Sequence, residues 1–83
     1  MYYVYILRSS KESNRIYIGA TNNLDRRLNE HANAKKRDYT RRYAPWKLET
    51  YIVFQNKILA EDFEEYLKSH SGRAFLRKRL ISQ

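Results

Sequence analysis

Tyr2-Tyr3-Val4-Tyr5-Ile6-Leu7, a polar interval from Ser9 to Asn14, and then Arg15-Ile16-Tyr17-Ile18-Gly19 decide how this chain folds. Both apolar stretches are β-branched and aromatic, the chemistry that suits a pleated, half-buried surface, and the interval between them has the composition of a hairpin turn. Two antiparallel strands are expected. Side chains alternate along a strand with a period of two. Tyr3, Tyr5 and Leu7 therefore share one face of the first strand, while Tyr17 and Gly19 share one face of the second and oppose Ile16 and Ile18. In the matching hairpin register, Tyr5 and Tyr17 stand on the same side of the sheet.

Outward from the hairpin the period changes. Asn22 and Asn23 are suited to cap a helix that begins at Leu24, with Asp25 in the first turn where the helix dipole favours an anion. On a helical wheel Leu24, Leu28 and Ala32 form the apolar stripe, Arg26 points to solvent, and Arg27 and His31 stack one turn apart along the margin of that stripe. From Asn33 to Lys47 there is neither period: this is a long basic loop in which Tyr39, Tyr43 and Trp46 interleave with cations, and Trp46 is expected to serve the core. Lys47 to Phe54 reads as a third strand. From about Lys57 the pattern is helical again, with Leu59, Phe63, Tyr66 and Leu67 as the stripe and Ser71-Gly72 as its C-cap. Glu61 and Glu65 face solvent on that wheel, and Asp62 and Glu64 lie at its two margins. Glu64 has the small Ala60 one turn before it, which leaves room for the carboxylate to lean into a cleft. A last short helix over residues 73–80 tucks in Phe75, Leu76 and Leu80.

Composition bounds the rest. The chain has 83 residues, 17 Lys and Arg against 9 Asp and Glu, a net charge of +8, eight Tyr and no Cys. Residues 1–83 are expected to form a single domain. At this length only about 60% of the unfolded surface is buried, so a core rich in large side chains is needed. Without cysteine neither disulfides nor thiolate zinc can supply stability, and two histidines cannot close a zinc site. No apolar run approaches roughly 18 residues and no secretory leader is visible, which points to a cytoplasmic protein with no membrane partner. The positive charge favours a polyanion, since each neutralised phosphate releases counterion.

One constellation remains. Phosphodiester hydrolysis needs a group that orients or deprotonates water, a cation for charge on the phosphate, and commonly a carboxylate-held divalent ion. Tyr3-Val4-Tyr5, eleven residues later Tyr17-Ile18-Gly19, then Leu24-x-x-Arg27-Leu28-x-x-x-His31 and Ala60-x-x-x-Glu64-x-x-Leu67-Lys68, resemble the GIY-YIG endonuclease superfamily. The likeness is greatest to small stand-alone members akin to the nuclease domain of the excinuclease C subunit, and it spans residues 2 to about 68. It implies an α+β fold, a three-stranded antiparallel sheet flanked by helices. By position it implies that Tyr5 and Tyr17 are the two motif tyrosines, the second activating water. It further implies that Arg27 contacts the scissile phosphate, that His31 follows it, and that Glu64 holds Mg2+ or Mn2+. Glu64 is thereby chosen over Asp62. The implied activity is metal-dependent cleavage of DNA, by extension in DNA repair, with no small-molecule cofactor. A free phenol is only about one part in a thousand ionised at neutral pH, so Tyr17 as base needs a neighbouring positive field. Two residues depart from the pattern: Tyr3 replaces a glycine, and Ala20 stands where the excinuclease branch has a lysine, a role Arg8 or Arg15 is left to fill.

Lys35, Lys36, Arg37, Arg41, Arg42, Arg73, Arg77, Lys78 and Arg79 read as phosphate contacts that position without specifying sequence. Tyr39 and Tyr43 are available to stack on unpaired bases. A catalytically silent nucleic-acid-binding module on the same scaffold is the main alternative. A small protein that binds structured RNA is the third reading.

Overall fold

The computed structural model describes residues 1–32 and 42–82. Strand β1 (Tyr2–Ser9) is followed by β2 (Ile16–Thr21), helix α1 (Leu24–Ala32), strand β3 (Trp46–Phe54) and helices α2 (Lys57–Lys68) and α3 (His70–Arg79). The sheet is antiparallel with order β2-β1-β3, so the strand with the most buried residues lies in the middle. This is the α+β arrangement read from the sequence.

Register assigns the two faces. Tyr5 pairs with Gly19 and Leu7 with Tyr17, and on the other side Tyr5 pairs with Tyr51. Tyr5 and Tyr17 therefore share a face, as the alternation predicts. The opposite face carries Val4, Ile6, Ile16 and Ile18, which pack with Ala60 and Leu67 of α2 and Leu76 of α3 to make the main hydrophobic cluster. Between Ile6 and Leu7 the pairing slips so that Glu49 is the extra residue of β3. Its carboxylate lies 3.0 Å from the Arg8 guanidinium. The C-terminal residues are clasped to the same strands, because Thr50 donates to the carbonyl of Leu80 and Arg8 to that of Ser82.

Local chemistry sets the ends. Ser9 accepts from the backbone N–H groups of Lys11 and Glu12, at 3.1 and 3.0 Å, and so shapes the turn after β1. Asn23 caps α1 by accepting from Arg26 N–H at 3.0 Å, and Asn56 caps α2 by accepting from Ile58 and Leu59.

Four sequence expectations are corrected. Helix α2 stops at Lys68, and Gly72 is no C-cap: it is buried inside α3, where a Cβ would collide with the backbone of Tyr66 and Leu67. The buried stripe of α2 is Ala60 and Leu67 with Phe63 beside them, whereas Leu59 and Tyr66 are exposed. The helix comes closest to the sheet at its smallest side chain, and that choice rotates Leu59 outward. Phe75 is exposed rather than tucked in, with its ring edge-to-face against Phe63 and tilted against Tyr66. Ala32, placed in the α1 stripe by the wheel, is exposed, and the buried residue of that helix is His31. Lys35, Lys36, Arg37, Tyr39 and Arg41 lie outside the described residues.

Candidate active site

Tyr5 has no exposed surface. Its ring lies across Gly19 on the neighbouring strand, so closely that a Cβ there would stand 2.6 Å from Tyr5 Cζ. The glycine is thus required by the passage of a phenol over β2. Beyond it the Tyr5 hydroxyl meets helix α1: His31 Nε2 is 2.9 Å away, and Arg27 Nε donates to the same oxygen at 3.3 Å. The hydroxyl oxygen thus bonds the guanidinium and the imidazole at once, the imidazole tautomer setting which partner donates in the second bond.

Tyr17 completes the cluster from β2. Its ring lies 4.6 Å from the His31 ring, edge to face, and 6.2 Å from that of Tyr5 in a stacked arrangement. Trp46, expected in the core, is half-buried with its ring 6.3 Å from Tyr17. Arg27 is anchored by Glu30, whose carboxylate accepts from its guanidinium at 2.8 Å.

Burial acts on the ionisation of Tyr5. Burial pushes the Tyr5 hydroxyl up to about 12, against the opposing hydrogen bond from Arg27. Tyr5 therefore stays protonated at neutral pH. Arg27 is held well above its ordinary value by Glu30 first, then by the hydroxyls of Tyr5 and Tyr17, and Glu30 is in turn held below the usual carboxylate range by Arg27. The negative charge of Glu64 also reaches Tyr5, opposing its ionisation.

Two openings lie along the outer edge of β2. The first, about 330 Å³, runs between α1 and α2 and is lined by Ala20, Arg26, Arg27, Lys57, Glu61 and Glu64 among others. Arg27 and Glu64 thus border a common cleft. Glu64 leans inward with 23% of its side chain exposed, and its Oε2 accepts from Lys68 Nζ at 3.0 Å. The second opening holds Tyr17 beside Lys68, Arg73 and Arg77. The structure therefore brings Tyr5, Tyr17, Arg27 and His31 into direct contact, with Glu64 across the cleft from Arg27.

Glu61, placed in solvent by the wheel, lines the cleft one turn before Glu64. Lys57 was missed altogether, and its ammonium sits 5.8 Å over the Tyr2 ring in that cleft. A signal was present: Lys57, Glu61, Glu64 and Lys68 recur at i, i+4, i+7 and i+11, a polar stripe running beside the apolar one. Of the two arginines offered in place of a lysine at Ala20, Arg8 is engaged with Glu49 and Ser82. Arg15 lines the second opening beside Tyr17 and is engaged as well, donating to Glu12 at 3.2 Å with its guanidinium 4.8 Å over the Tyr43 ring. Arg42 is exposed with its guanidinium 5.5 Å over Tyr43, and Lys78 and Arg79 are exposed on α3 but line neither opening.

Comparison with known proteins adds to this geometry. The family model described as the GIY-YIG catalytic domain matches residues 1–79. The chain is 44% identical over 68 residues to a UPF0213 protein of Clostridium perfringens, covering 82% of this chain and 71% of that one. It is 36% identical over 77 residues to the structure-specific endonuclease subunit SLX1 of Malassezia globosa, covering 88% of this chain but 17% of that longer protein. The solution NMR structure of a UPF0213 protein from Bacillus halodurans superposes with a TM-score of 0.54 at 34% identity, over 92% of this chain and 82% of that one.

Proposed function

The chain belongs to the GIY-YIG family, and from that premise we propose that it is an endonuclease that hydrolyses DNA phosphodiester bonds with the help of a divalent ion, Mg2+ or Mn2+. The observation that supports the reading is the contact of Tyr5, Tyr17, Arg27 and His31, drawn from two strands and a helix, with Arg27 bordering the cleft that Glu64 also lines.

In hydrolysis a water oxygen attacks phosphorus, the bond to one bridging oxygen breaks, the water gives up a proton and the leaving oxygen takes one. Tyr17 is the phenol that borders open space, so it orients the water and, as the phenolate that the neighbouring Arg27 guanidinium favours, takes its proton. Tyr5 is a poor base, raised to about 12, and acts by holding Arg27 and His31 in place. Arg27, anchored by Glu30, faces the cleft and neutralises charge on the phosphoryl oxygens. His31, against the Tyr17 ring, orients that phenol or shuttles a proton toward the leaving oxygen.

Glu64 is the residue that would hold the ion. Among the described residues no group of three His, Cys, Asp or Glu side chains gathers for a metal, which suits Mg2+ bound through one carboxylate with most of its waters kept. Such an ion supplies Lewis-acid stabilisation of the leaving oxygen. Its affinity for the DNA-free protein is expected to be weak.

A plasmid-nicking assay with and without Mn2+, run beside Glu64→Ala, tests the reading. Nicking that depends on the ion and falls by about 100-fold or more in the variant supports it; equal nicking by both proteins overturns the role of Glu64. The second reading, a module that binds without cutting, draws on the pairing of Glu64 with Lys68. It requires tight, salt-sensitive binding with no nicking under any divalent ion.

A further inference from the structure

The sheet order leaves β2 with no strand on its outer side among the described residues, and the two openings follow one another along that edge. Ala20 and Thr21 border the cleft of Arg27 and Glu64, and Ile16, Tyr17 and Ile18 border the groove of Lys68, Arg73 and Arg77. Helix α2 runs alongside in the opposite sense, with Lys57 at the cleft end and Lys68 at the groove end. Cleft and groove are therefore successive along the edge, and Glu64 of the cleft meets Lys68 of the groove at 3.0 Å.

The groove is about 570 Å³ and has four cations, Arg15, Lys68, Arg73 and Arg77, in its lining and no carboxylate. Arg73 and Arg77 are one turn apart on α3 and so reach the same side of the helix. Folding explains only part of this. Cations in the last turn of α3 favour the helix dipole, which accounts for Arg77, Lys78 and Arg79. Arg73, near the N-terminal end, gains nothing from the dipole.

We propose that the outer edge of β2 is a track for one DNA strand, and that Lys68, Arg73 and Arg77 hold its phosphates on the α3 side of the scissile bond. The proposal rests on the nuclease reading and goes beyond it. It assigns the strand a path and divides the cations of the tail. Arg73 and Arg77 belong to the track, whereas Lys78 and Arg79 stand outside it. Lys68 lies at the junction, between the carboxylate of Glu64 and the phosphate path.

The test compares two double variants of equal charge loss, Arg73→Gln with Arg77→Gln and Lys78→Gln with Arg79→Gln, against a labelled 20-base-pair duplex in chelator between 50 and 200 mM salt. The groove pair is expected to weaken binding on the order of tenfold at 0.1 M salt and to lower the salt slope by about two, one per lost phosphate contact. The tail pair is expected to change each by less than half as much. Arg73→Lys with Arg77→Lys should restore the slope. Equal losses from both pairs, or no loss from the groove pair, overturn the track. Because binding is read on uncut DNA, a protein that shows the split but never nicks refutes the hydrolase reading alone, and one that nicks without the split refutes the track alone.

Discussion

Tyr5 owes its chemistry to its position. A phenol with no exposed surface and a raised pKa of about 12 keeps its proton in the folded chain at a pH where an unfolded tyrosine has lost it. Its contribution to stability is therefore complete below pH 10 and disappears as the pH climbs through 12. Alkaline denaturation of the wild type is expected to be steeper across that window than that of Tyr5→Phe, and parallel curves would contradict the assignment. Tyr17→Phe should instead lower kcat by about 100-fold with little change in Tm, since general-base assistance contributes roughly 10²–10⁴. The two adjacent arginines separate in the same way: Arg27→Ala should cost on the order of 100-fold in kcat, and the exposed Arg26→Ala less than tenfold. The alternation of the hairpin and the wheel of α1 made Tyr5, Tyr17, Arg27 and His31 legible before any coordinates. Why Gly19 must be glycine was not legible, because it depends on a ring crossing from another strand.

At the scale of elements, one serine sets the junction of α2 and α3. Ser69 closes one helix and opens the next: its hydroxyl donates to the carbonyl of Tyr66 at 2.6 Å and accepts from Gly72 N–H at 3.1 Å. Gly72 has no positive φ, so its role is proximity rather than conformation. A glycine after an amphipathic run signals a C-cap and a close helix crossing equally well, and only the packing distinguishes them. Gly72→Ala is expected to cost roughly 3 kcal/mol, because rigid backbone and not a movable side chain occupies the space. A fall of about 10 °C or more in Tm would register it. The displaced stripe of α2 has a similar origin. Helical period places Leu59 in the buried stripe, but Ala60 is the residue packed against the sheet, with Glu61 and Glu64 lining the cleft.

For the whole molecule, a net charge of +8 on 83 residues means that the folded state carries self-repulsion which salt relieves. Raising salt from about 20 to 200 mM should raise Tm by a few degrees while weakening DNA binding, and a Tm that falls instead would place more value on ion pairs than on repulsion. Among the described residues no helix is long and apolar enough to cross a membrane. The succession of strands and helices along the chain follows from sequence periods, whereas the sheet order β2-β1-β3 does not. Nor does the course of the two openings along β2, since it is created by helices that are distant in sequence from the strand they border.

Helix α1 gives no residue to the main hydrophobic cluster, and its buried side chain is His31, set against Tyr5 and Tyr17. The side chains given catalytic roles in the proposed function are thus also mortar. A lineage in which that proposed activity was lost would still need the two phenols and the imidazole to seat this helix, so its descendants would go on displaying the family's signature.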